Sequence, residues 1–210
     1  MGLLQLAATA LALGNIALAS PLAPRAATVK SCDGDLCFQE FQSTDKTAFA
    51  FAIPDTATAG SFDILLKITA PKTVGWAGVA FGGSMTNNPL AVAWTNANGG
   101  IVSPRKASAR TYPTVSTDTT WTVLSSSGSN STHWYVTAVG KGASSWGTTK
   151  LDPTGAATFA YAQSNTAPAD PTKVDSRFGI HNAHKQFSVD LAGAKIANFT
   201  AAITKLTKSA

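Results

Sequence analysis

Residues 75–100 read GWAGVAFGGSMTNNPLAVAWTNANGG, and this stretch decides the fold. Trp76, Val79 and Phe81 supply strand-favouring bulk, Gly82-Gly83-Ser84-Met85 breaks the run, and Leu90 to Trp94 resumes it. The pattern is strand, glycine turn, strand. Met85 is the only methionine besides Met1, and it falls on the turn. Methionine ordinarily fills irregular space in a core. Two glycines beside it also let backbone approach something flat and leave the thioether free to point at it.

The same alternation extends in both directions. Phe62, Ile64, Leu66 and Ile68 alternate with Ser61, Asp63, Lys67 and Thr69, a half-buried strand in which Leu65 breaks the polar series. Phe49, Phe51 and Ile53 repeat the pattern before Pro54, as do Trp121 with Val123, and Trp134 with Val136 and Ala138. Residues 157–163 read as another strand. Turn-rich pieces such as TNANGG, SSSGSNS and SNTAPADP separate these runs. Roughly eight to eleven short strands at hairpin spacing predict an all-β fold, an antiparallel immunoglobulin-like β-sandwich. Helical spacing occurs only within residues 191–203, at Leu191, Ala194 and Ile196.

The first 19 residues form an apolar run ending in Ala17-Leu18-Ala19, the small-x-small pattern of a cleaved export signal. Residues 20–30 read as an exposed leader with a cleavage point after Arg25, and 31–210 as one domain. About 190 residues then remain, enough for a sizeable core. No second apolar run has membrane length, so a secreted, extracellular monomer is expected. Charged residues make up 13%, and the net charge is +5. Without an arginine-rich stripe or a nucleic-acid motif, that charge points to an acidic protein face and not to nucleic acid. Cys32 and Cys37 are the only cysteines, and in an exported chain they are expected to form a disulfide closing a short loop. Asn130-Ser131-Thr132 and Asn198-Phe199-Thr200 are glycosylation sequons.

Three stretches in order carry a family resemblance: residues 76–94 with IVSPR at 101–105, STHW at 131–134, and FGIHNAHKQFSVDLAGA at 178–194. Together they resemble the haem-binding cytochrome domain of fungal cellobiose dehydrogenases, a DOMON-like module that also occurs alone and in iron-reductase-type proteins. The likeness runs from about Phe38 to Ala194. It implies a haem b with Met85 and His181 as the axial ligands of the iron. Consistent with a b-type haem, there is no Cys-x-x-Cys-His attachment motif. The family often carries a further disulfide after STHW; the corresponding positions here are Gly140 and Ala143.

The histidines are His133, His181 and His184. His133 lies beside Trp134 in a strand pattern and reads as a surface or cross-strand residue. His181 and His184 read as neighbours in the loop before Phe187. The resemblance favours His181 as the ligand, with His184 as the competing position. Trp76, Phe81 and Trp94 are candidate walls of a haem slot or ordinary core. Arg105, Lys106 and Arg110 are a basic group that would pair with propionates, steer a partner or lie in a solvated loop.

With thioether and imidazole filling both axial positions, no iron site stays open, so an electron-transfer protein is expected before a self-contained enzyme. The resemblance implies single-electron transfer from a flavoenzyme (a flavin dehydrogenase) or a small reductant to a copper polysaccharide monooxygenase, ferric iron or a quinone. No flavin-domain sequence occurs within these residues. Two other readings come from the residues themselves. Five tryptophans and three tyrosines would suit a haem-free carbohydrate-binding sandwich, and the three histidines would suit a copper or zinc site.

Overall fold

Residues 27–33 and 36–208 are described by the structure, a computed structural model. The export signal, most of the leader and the Arg25 cleavage point lie outside those residues. In chain order the first strands are β1 (Val29–Asp33), β2 (Leu36–Gln42), β3 (Ala48–Pro54) and β4 (Ile64–Pro71). Then come β5 (Trp76–Phe81), β6 (Leu90–Asn96), β7 (Gly99–Lys106) and β8 (Thr114–Val115). They are followed by β9 (Thr120–Val123), β10 (Gly128–Ser129), β11 (His133–Lys141), β12 (Ser145–Trp146) and β13 (Thr149–Lys150). The chain closes with β14 (Ala156–Ser164), β15 (Ala183–Asp190), β16 (Lys195–Ile196) and the helix α1 (Phe199–Lys208).

Two sheets result. One runs β1-β2-β3-β4-β11-β10, with β9 on β11 and β16 beside β3; the other runs β15-β14-β5-β6-β7-β8. All named pairings are antiparallel except β16 with β3. The expected strand–turn–strand unit is β5 and β6, side by side near the middle of the second sheet.

Period-two alternation explains the seam between the sheets. Phe41, Phe49, Phe51, Ile64, Leu66, Ile68, Trp134 and Val136 point inward from the first sheet. Ala77, Val79, Phe81, Phe159, Tyr161, Phe187 and Val189 meet them from the second. Phe41 stacks on Phe187 with ring centroids 4.3 Å apart, and Phe159 meets Phe51 edge-on at 5.2 Å. Each fully buried aromatic of this kind contributes about 1.5–3 kcal/mol of transfer free energy.

The outer face of the first sheet is covered too. Phe199, Ile203 and Leu206 of α1 pack over Phe38, Ala50, Ala52, Leu65 and Val139. That is why Leu65 breaks the polar series: it is a buried contact beneath the helix. The helix begins later than the spacing over 191–203 suggests. Leu191 and Ala194 belong instead to a turn, and these two side chains are fully buried in the core between the sheets. Among the described residues no helix is long and apolar enough to cross a membrane.

Cys32 and Cys37 are joined by a disulfide across the β1–β2 pair. The bridge closes a small loop at the end of a hairpin, so the chain-entropy model assigns it roughly 2 kcal/mol. Replacing both cysteines by serine is expected to lower stability by no more than that in a denaturant titration, leaving any visible spectrum unchanged. At the family's second cystine position, Trp121 fills the space instead. A Cβ on Gly140 would lie 2.4 Å from its ring, and that ring stacks on Phe81 at 5.9 Å.

Candidate cofactor site

The outer face of the second sheet is also apolar, although among the described residues no helix covers it. Trp76, Leu90, Val92 and Trp94 are buried there, with Met85, Ile101, Ala160, Ala162 and Phe178 packed against them. The register sets the floor. His184, Ala162, Gly78 and Val92 form one row across four strands, and Gln186, Ala160, Ala80 and Leu90 form the next. The centre of both rows is glycine or alanine, so the floor is flat. A Cβ on Gly78 would sit 2.9 Å from the Ala91 carbonyl oxygen and 3.3 Å from Val92 Cγ2.

Two loops rise over this floor. The first, residues 82–89 between β5 and β6, carries Met85. Gly82 and Gly83 turn it with φ of +93° and +83°, where an L side chain is strained. A Cβ on Gly83 would also press to 2.5 Å from Thr158 Cγ2. Gln186 Nε2 donates to the Gly83 carbonyl at 2.6 Å, and Asn88 Nδ2 donates to the Ser84 carbonyl at 3.0 Å. Trp146 Nε1 in turn donates to Asn88 Oδ1 at 2.8 Å. The methionine therefore stands on a loop braced from both sides.

The second loop, residues 165–182 between β14 and β15, carries His181. It has no strand of its own and is tied down by side chains. Trp94 Nε1 and Asn96 Nδ2 both donate to the Pro171 carbonyl, at 3.0 and 3.1 Å. Asn182 N donates to the Gln163 carbonyl at 2.9 Å where the chain enters β15.

A cavity of about 700 Å³ lies between the loops and the floor, and Met85, His181 and His184 all line it. Its wall is mainly apolar, with Trp76, Leu90, Val92, Tyr112 and Phe178; Arg110 and Lys185 bring cations to it. The His181 and His184 ring centroids are 4.5 Å apart. His181 is half-buried and His184 exposed. Burial, and secondly the neighbouring His184, hold His181 below the usual imidazole range, which favours the neutral form that ligates metals.

Several expectations sharpen. His184 is on β15 and not in the loop before it, because the strand starts at Ala183, paired with Gln163. His133 opens β11 in the other sheet, beside Thr132 Oγ1 at 2.9 Å, and does not line the cavity. Among the described residues no three His, Cys, Asp or Glu side chains converge on a common point. Trp76 lines the cavity, Trp94 ties a loop from the same face, and Phe81 belongs to the seam between the sheets. Trp76, Trp94 and Trp134 are buried and Trp121 and Trp146 half-buried, so none stands fully exposed as a platform for a sugar. Of the basic group, Lys106 pairs with Asp118 at 2.5 Å, Arg110 faces the cavity and Arg105 is buried. The bracing residues Asn88, Trp146 and Gln186 escape sequence reading, since a lone polar residue in a strand or turn gives no signal of its partner. The floor was readable in principle. In 157–163 small residues alternate with Phe159 and Tyr161, which marks a face that leaves room.

Donor chemistry, shape and burial therefore fit a flat, largely apolar group with a soft metal at its centre. The model of the family "Cytochrome domain of cellobiose dehydrogenase" matches residues 31–201, and the chain belongs to this family. The pyrroloquinoline quinone-dependent pyranose dehydrogenase of Coprinopsis cinerea is 26% identical over 202 residues, which is 94% of this chain and 28% of that protein. The chain thus spans little more than a quarter of the length of that curated relative. Among solved structures, the cytochrome b domain of pyranose dehydrogenase from Coprinopsis cinerea superposes with a TM-score of 0.80 at 24% identity, covering 86% of this chain and 96% of that one. The cytochrome domain of Myriococcum thermophilum cellobiose dehydrogenase gives 0.74 at 24% identity, covering 87% and 97%. At that identity the likeness is one of fold.

Proposed function

We propose that this chain is an exported electron carrier holding a b-type haem between Met85 and His181. The observation that carries the reading is that a thioether and an imidazole, from loops far apart in sequence, line one flat-floored apolar cavity. When bound, a b-type haem supplies a one-electron ferric–ferrous couple. The residues do the rest. Met85 and His181 are both uncharged donors, and methionine favours the ferrous state. Filling both axial positions excludes dioxygen and small substrates. The braced loops hold both donors still while charge changes, which keeps reorganisation small. Arg110 and Lys185 are placed to meet carboxylates at the cavity.

The names of the relatives suggest the donor class, a sugar dehydrogenase, quinone-dependent in one of them; a flavoenzyme is the donor that the family resemblance implies. A copper polysaccharide monooxygenase or ferric iron is the acceptor class proposed here. Export is supported by the apolar first 19 residues, by the Cys32–Cys37 disulfide and by the exposure of Asn130 and Asn198 in their sequons.

The test is the visible spectrum of the haem-loaded protein, oxidised and dithionite-reduced, with and without carbon monoxide. Sharp α and β bands on reduction, unchanged by carbon monoxide, are expected. Met85→Ala should give a form that binds carbon monoxide and has a lowered potential. A variant with the parent's spectrum and potential would remove Met85 from the iron.

A further inference from the structure

We infer that Arg105 is a positioning residue: from β7 it clamps the loop that carries His181 and so sets where the imidazole stands. This rests on the reading of His181 as an axial ligand. Arg105 is 2% exposed, and among the described residues it has no carboxylate at ion-pair distance. A buried cation of this kind is costly unless its N–H groups are all but used. Those of Nη2 are used on this loop, and those of Nε and Nη1 on Ser103 and Pro113. Nη2 donates to the carbonyls of Ser176 at 2.7 Å and Val174 at 3.1 Å, and Nε donates to Ser103 Oγ at 2.6 Å. Ser103 Oγ itself donates to the Val174 carbonyl at 2.5 Å, and Nη1 donates to the Pro113 carbonyl at 3.3 Å.

The guanidinium also lies over two rings, 5.1 Å from the Phe178 centroid and 5.9 Å from that of Tyr112. Tyr112 continues the clamp: its hydroxyl donates to the Ser176 carbonyl at 3.3 Å and accepts the Phe178 N–H at 3.2 Å. Phe178 then packs on Trp76, with centroids 4.9 Å apart. The next anchor along the chain is Asn182 N on the Gln163 carbonyl. Only Gly179, Ile180 and His181 lie between the two anchors, and Ile180 is 89% exposed, so it contributes no packing. The position of the imidazole is therefore fixed by its two ends, and Arg105 builds the upstream one. A lysine could bond one or two of these carbonyls as a point charge but would not reproduce the planar fork.

The experiment uses Arg105→Met and Arg105→Lys, with Ser103→Ala as a milder variant that removes the serine bridge. Two measurements are made: amide hydrogen exchange of the apoprotein, and the haem-loaded spectrum with and without carbon monoxide. Arg105→Met is expected to speed exchange over residues 172–182 at least about tenfold while β4 and β11 keep their protection. It should also convert part of the low-spin population to a form that binds carbon monoxide, an attenuated copy of His181→Ala, with Arg105→Lys intermediate. If Arg105→Met does not fold, Arg105→Lys and Ser103→Ala are read by the same two measurements. Fast loop exchange with a fully low-spin, carbon monoxide-inert spectrum would make Arg105 a structural residue only and overturn the inference. Uniform loss of protection across both sheets would overturn it as well. A parent protein that is itself reactive to carbon monoxide would instead remove the six-coordinate reading on which this inference rests, leaving the exchange result to report on the clamp alone.

Discussion

His181→Ala is expected to abolish the six-coordinate spectrum, whereas His184→Ala should leave it in place. Both imidazoles line the cavity, and their rings are close, so proximity alone does not choose between them. Environment and backbone do. His181 is half-buried, and burial together with the neighbouring His184 disfavours its protonation. His184 is exposed and stands on β15 itself, beside the floor residue Ala162. A residue on the floor row has little freedom to approach the centre of a group lying on that floor. His181 hangs from a loop above it. Removing an outer-shell partner of a metal ligand commonly costs about 10–100-fold in affinity. Removing the ligand itself should cost at least as much, seen as haem loss to a competing apoprotein. The reverse result, with His184→Ala losing the low-spin bands and His181→Ala keeping them, would move the ligand to β15.

Phe187→Ala should be the most destabilising single truncation, by about 3–5 kcal/mol. The ring is fully buried and stacks on Phe41 at 4.3 Å. It also lies within 6.0–6.3 Å of Phe49, Phe51 and Phe159 by centroid. Phe41, Phe49 and Phe51 come from one sheet and Phe159 from the other, so this side chain ties the two layers together. At roughly 2–4 °C per kcal/mol for a chain of this size, the apoprotein should melt about 6–20 °C lower. A change under about 1 kcal/mol would show that the seam closes around the gap. Because β15 also carries His184 and Gln186, the same variant should weaken the brace on the Met85 loop.

These two residues show how far the sequence could be read. Phe187 and its partners alternate with smaller or polar neighbours, a period-two signal that survives in any order of strands, so the sandwich was legible. Met85 is conspicuous as a lone methionine beside paired glycines, and it lines the cavity. The clamp was not legible. Arg105 sits in a short basic group that resembles a solvated loop, and only the folded chain brings it under the carbonyls of residues 174 and 176, far along the sequence. Helical spacing over 191–203 misled for a related reason. Leu191 and Ala194 are buried by the sheets around their turn, and burial alone produced the period. His184 was placed in a loop because three polar residues, His184, Lys185 and Gln186, hide the start of an edge strand whose outer face is open.

The second sheet is apolar on both faces, whereas α1 shields only the first. In the proposed reading, the bound macrocycle is therefore also masonry: it does for one sheet what α1 does for the other, as a third layer of the building. Part of what it contributes to stability comes from covering the glycine and alanine floor and would persist without any bond to iron. A chain made faster than its cofactor is supplied would travel with that layer missing and a greasy wall open to its neighbours, so the yield of intact protein should track porphyrin supply as closely as it tracks transcription.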